Sequence, residues 1–144
     1  MTGFARRGPY DDKGQIAVFG VVITAATVMF AGLVLDGGLA LAAKSRALGE
    51  AQEAARAGAQ AIDIAAYRRD GTWALAPNEA RKRARTYLSS TGDEGSVAAT
   101  TTTVNVTVTA RQSTEFLRFF GVDELTVTAV GSARPVRGVA VRAP

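Results

Sequence analysis

The chain has 144 residues, a formal charge of +4 and 47% apolar residues, which leaves room for one small domain once a membrane anchor is subtracted. It contains neither Cys nor His, so disulfides, thiolate metal sites, the usual general base and the commonest metal ligand are excluded. The modest positive charge fits anionic lipid or wall polymer as readily as nucleic acid.

Residues 1–15 read as a short tail carrying Arg6, Arg7 and Lys13. From Ile16 to Leu35 no charge occurs, and 20 helical residues at about 1.5 Å each reach roughly 30 Å, the thickness of a bilayer's hydrocarbon core. Residues 16–36 are therefore expected to be a transmembrane helix. The basic tail places the N-terminus inside and the rest of the chain outside. A cleaved signal peptide is the competing reading, since Ala40-Leu41-Ala42 resembles a small-residue cleavage site. Against it, the apolar run exceeds an ordinary signal-peptide core, and helix-favouring residues continue through the supposed cut. Gly20, Thr24 and Gly32 are small enough to let a partner helix approach, although such residues are common in any membrane-spanning helix.

Asp36 is the first charge met on leaving this run, and Gly37-Gly38 the expected bend. Two readings of Asp36 stand: a carboxylate solvated at the interface, or a salt bridge to Lys13 or Lys44 of a neighbouring subunit. Beyond it, Arg46, Glu50, Glu53, Arg56, Gln60 and Asp63 recur every three or four residues, the polar face of a helix over residues 37–70. Leu41, Leu48, Ala51, Ala55, Gly58, Ala59, Ile62 and Ala66 form the opposite stripe, apolar but mostly small. This stripe fits packing on the protein's own sheet or on helices of other subunits, and composition does not choose between them. With no Pro between Pro9 and Pro77, one rod is expected from about Gln15 to Tyr67.

Residues 71–144 read as a small α+β unit. Gly71 and Pro77 bracket a turn around Trp73, and Asn78 to Ser90 forms a short helix whose Arg81, Lys82, Arg83 and Arg85 are a solvated face or a contact for an anionic surface. Thr91 to Ser96 reads as a loop. Val104, Val106 and Val108 alternate with polar residues, as do Leu125, Val127 and Ala129, which predicts two half-buried strands. Val139 and Val141 offer a weaker third. Between the first two, Ser113 can cap a short helix with Phe116, Phe119 and Phe120 on one face, expected to be core for so small a sheet; the alternative is an exposed contact patch. Asn105-Val106-Thr107 matches a glycosylation sequon, a tripeptide frequent by chance.

No catalytic constellation, phosphate loop or metal-ligand spacing emerges, so no catalytic residue, cofactor or metal is expected and nucleic acid is not among the expected partners. The expected architecture is α+β: a transmembrane helix continuing into an extracytoplasmic helix that packs with a small antiparallel sheet.

The order KGQIAVFGVV, GLVLDGG and AKSRALGEAQEAARAGAQAID over residues 13–63 resembles the TadE/TadG-like proteins of tight-adherence (Flp-type) pilus systems. In that family a charged residue and glycine precede an apolar helix, an Asp and a Gly close it, and a helix rich in Ala, Gln and Arg follows. Lys13, Gly14, Asp36, Gly38, Gln52, Ala54, Ala55, Ala57, Gly58 and Ala59 occupy those positions. The resemblance implies a minor pilin-like or assembly subunit in the bacterial cytoplasmic membrane that helps start, prime or stabilise a pilus; membrane lipid, other pilus or secretion-system subunits and further copies of the chain are the expected partners. Prepilins of this group typically carry a Glu five residues after the processed Gly, whereas Phe19 stands five after Gly14, so the unprocessed TadG-like branch is implied. A stand-alone envelope binding module, using the basic helix or the Phe face, is the alternative.

Overall fold

A computed structural model describes residues 12–136, with side chains from Gly14 onward. Arg6, Arg7, the Lys13 side chain and the weaker strand expected at Val139 and Val141 lie outside the described residues.

The first helix, α1 (Asp12–Ala59), runs 48 residues and stays helical through Gly37-Gly38. It ends earlier than the expected rod. Ile62 pairs with Leu75 in an isolated antiparallel bridge, Asp63 N–H donates to the Ala74 carbonyl at 2.8 Å, and Ala76 N–H to the Ala61 carbonyl at 2.8 Å. The returning chain thus takes the backbone groups a continuing helix would have used. Asp63 then restarts helix α2 (Ile64–Asp70) as its N-cap, accepting the Ala66 N–H at 2.9 Å. Helix α3 (Pro77–Thr91) begins with Pro in the first turn, where a missing N–H costs nothing, and covers the predicted segment.

Among the described residues three antiparallel strands follow in the spatial order β1-β2-β3: β1 (Glu94–Ala99), β2 (Val104–Ser113) and β3 (Glu124–Ala133). The predicted alternation holds in β2, where Val104, Val106, Val108 and Ala110 are buried. β1 overlaps the segment expected to be a loop. Gly, Ser and Ala carry little strand propensity of their own, and pairing with the open edge of β2, with Val97 opposite Val106, makes this stretch a strand.

The core is built from small side chains. Ala47, Ala51, Ala54 and Ala55 of α1 meet Val104, Val106, Val108 and Ala129 of the sheet, together with Ala80, Ala84 and Leu88 of α3 and Leu75. The closest approach is at Gly131 on β3, where a Cβ would lie 2.3 Å from the Ala51 carbonyl carbon. Helix and strand backbones touch there, and only glycine fits.

Candidate functional site at the neck of the long helix

The two ends of α1 have different surroundings. From Gly14 to Leu35 the side chains are exposed, apart from half-buried Ala26 and buried Gly32. From Ala43 onward the same helix buries a stripe in the domain behind it. Between them lies Asp36, a carboxylate only 1% exposed.

Asp36 is held by a segment some 80 residues away. One carboxylate oxygen accepts the Glu115 N–H at 2.8 Å, and the other accepts those of Phe116 at 3.0 Å and Leu117 at 2.7 Å. These amides open the short 3-10 turn Leu117–Phe120 at the tip of the β2–β3 connection. A helical turn leaves its first N–H groups without internal partners, and a carboxylate there supplies charge-assisted acceptors. The tip is braced further. Buried Thr114 donates its N–H to the Asp123 carbonyl at 3.0 Å and its hydroxyl to the Val122 carbonyl, while Val122 N–H returns to Leu117 at 3.1 Å.

One turn before Asp36, Gly32 receives the Phe116 ring; a Cβ on Gly32 would lie 2.3 Å from the ring's Cγ. Carboxylate and glycine therefore form a two-point clasp on the tip. Both readings of Asp36 need correction: it is neither solvated nor free for a neighbour's lysine, because both oxygens are engaged inside the chain. Lys44 is turned onto the chain's own sheet, where its Nζ donates to the Thr128 carbonyl.

The Phe cluster also differs from expectation. Phe116 is half-buried on Gly32, but Phe119 and Phe120 are 75% and 66% exposed, so they are not core. The sheet is closed by α1's alanines at short range, which leaves no space for aromatic bulk. Phe119 and Phe120 instead rim an apolar cleft of about 650 Å³ whose opposite wall is Ala26, Val28, Met29, Phe30 and Leu33 of α1.

Of the residues expected to receive partner helices, Ala51 and Ala55 are fully buried in the chain's own core, and Gly58 is buried against Ala80, Ala84 and Val104. Ala59 and Ile62 pack at the margin of that core. The stripe is thus satisfied internally over this stretch. Gly20 and Thr24 remain exposed, as do Leu41 at 70% and Leu48 at 39%. In the basic run, Arg83 pairs with Glu79 at 3.2 Å and Arg81 bonds Asn78, and Arg81, Lys82 and Arg85 line one shallow concavity on the outer face of α3.

Glu50 on α1 keeps one oxygen, Oε2, buried without a donor, and Arg46 reaches the other only at 3.8 Å. Burial and the adjacent Asp93 carboxyl push its pKa up. Its regular place on the polar face gave no sign that the α3–β1 connection would cover it.

Fold and neck together define an α+β protein whose long helix, the one candidate span among the described residues, is apolar enough over its first half to fit a single-pass membrane anchor. Residues 14–61, about a third of the chain, match the family model described as putative Flp pilus-assembly TadE/G-like, in agreement with the resemblance read from the sequence. The match points to involvement in Flp pilus assembly and, with it, to other pilus components as partners. No curated protein and no solved structure matches the chain.

Proposed function

We propose that this chain is a non-enzymatic, membrane-anchored subunit of an Flp-type pilus or a related secretion machine, acting as a minor pilin-like or assembly component. It sits in a bacterial cytoplasmic membrane with its N-terminus inside and its α+β domain outside. The observation that carries the reading is the unpartnered first half of α1, apolar and exposed within the very segment that matches the pilus-assembly family. A helix of that kind is solvated by lipid in a lone subunit and by other helices in an assembly. Gly20 and Thr24 within it, and Leu41 and Leu48 above it, are the positions left free to meet partner helices.

The chain has no Cys, so single-Cys variants at Gly20, Thr24, Leu41 and Leu48 report cleanly. Cross-linking in the native cell is expected to join these positions to subunits of the pilus machine, identified by mass spectrometry. A chain that purifies in mild detergent without helical partners while binding wall polymer would overturn the reading. That outcome would favour a stand-alone envelope binding module, for which the concavity of Arg81, Lys82 and Arg85 on α3 is the supporting observation.

A further inference from the structure

We propose that the tip of the β2–β3 connection is a membrane-inserted wedge: Leu117, Phe119 and Phe120 lie among the acyl chains of the outer leaflet, beside α1 and clasped to it by Asp36. The inference rests on the first half of α1 spanning a bilayer, and it does not depend on the pilus assignment.

Phe116 touches Gly32, and the cleft beneath the tip is walled by α1 residues from Ala26 to Leu33. All of these fall inside the uncharged Ile16–Leu35 run. At about 1.5 Å per residue, Gly32 lies roughly 6 Å and Ala26 roughly 15 Å below Asp36 along the helix. A bilayer placed to cover Ile16–Leu35 therefore also covers the side chains standing against that wall. The lining of the cleft is continuous with the lipid-facing surface of the helix, which makes acyl chains its occupant.

Chemistry agrees with position. The outermost residues of the tip, Phe119 and Phe120, are bulky, apolar and exposed, a poor surface for water but a suitable one for the interfacial part of a bilayer. Backbone polar groups can enter hydrocarbon only when satisfied internally. Here the amides of Glu115, Phe116 and Leu117 are held by Asp36, and those of Phe119, Gly121 and Val122 by carbonyls within the turn. The one basic residue of the tip, Arg118, lies with its guanidinium 5.5 Å from the Phe119 ring centre, on a side chain long enough to reach headgroup phosphates. The charged residues flank the turn on its strand side: Glu115 is bonded through its N–H to Asp36, Asp123 accepts the Thr114 N–H, and Glu124 pairs with Ser113. Asp36 on this account holds the wedge against α1 at the membrane surface.

The test uses the full chain alone in vesicles of phosphatidylethanolamine and phosphatidylglycerol. An environment-sensitive fluorophore is attached at Phe120→Cys, at Gly20→Cys in α1, or at Val130→Cys on the exposed side of β3, and lipids carry a nitroxide in the acyl chain. Quenching is expected at positions 120 and 20 and not at 130, and adding Asp36→Asn should reduce quenching at 120 while leaving 20 unchanged. Quenching at 20 without quenching at 120 would overturn the wedge, as would occupation of the cleft by a second copy, which would shield 120 from lipid. No quenching at either would remove the spanning helix and the wedge together. Quenching at 120 that survives Asp36→Asn would overturn the role given to Asp36.

Discussion

The two halves of α1 are one continuous helix solving two different problems. Before Asp36 the helix presents Ile, Val, Phe, Met and Leu on all sides and buries almost none of them. After it, bulky residues give way to alanine on one face, and that face forms the centre of the core. In the first half side-chain bulk makes the surface apolar enough to fit lipid; in the second its absence brings helix and sheet into backbone contact. Burial follows the size of the side chains on the facing element as much as their hydrophobicity.

The largest effect should come from making the second half resemble the first. Ala51→Leu forces a large side chain into the contact with Gly131 and is expected to destabilise the domain by about 3 kcal/mol, read by denaturant unfolding of the full chain in detergent. The same change at Ala25, exposed on the apolar half, should alter stability by less than about 0.5 kcal/mol. Comparable losses from both would erase the distinction.

The next effect falls at the boundary. Asp36→Asn leaves an amide donor facing backbone donors, so the 115–117 segment should lose its anchor. Faster amide hydrogen exchange is expected at Glu115, Phe116 and Leu117, with β2 and β3 unchanged. Protection that persists there would mean the clasp is not held by the carboxylate.

A smaller, opposite effect is expected at Glu50. Its raised pKa means that the fold favours the protonated form, so its stabilising contribution is full below the ordinary Glu range and is lost as pH rises through the elevated value. Glu50→Gln should therefore stabilise the domain near neutral pH by about 1 kcal/mol, by removing charge from a buried oxygen that lacks a donor. The gain should shrink on acidification, and a gain independent of pH would contradict the assignment. Least of all, Leu41→Ala and Leu48→Ala should change stability by under about 0.5 kcal/mol, since both are exposed, and should act only on cross-linking to partners.

Features carried by local pattern were legible in the sequence. The apolar run, the alternation in β2 and the Pro-led helix α3 each depend on residues within a few positions of one another. What escaped depends on residues far apart. Asp36 gives no local sign that its acceptors are needed by amides 80 residues on. β1 exists because β2 has an edge to pair with, and α1 stops at Ala59 because the strand-like segment around Leu75 competes for its backbone. A small sheet that needed aromatic filling would take Phe119 and Phe120 inside. The alanine stripe removes that need, and its own smallness was the available clue.

The most direct test of the two-part helix is a nitroxide scan along α1, one single-Cys variant at a time, in the purified chain reconstituted in bilayers. Oxygen accessibility should stay high on all faces from Ile16 to Leu35, with dips only toward Ala26 and Gly32. It should then oscillate with a helical period beyond Leu39, with minima at Ala43, Ala47, Ala51 and Ala54. An oscillation running unbroken through both segments would contradict the account.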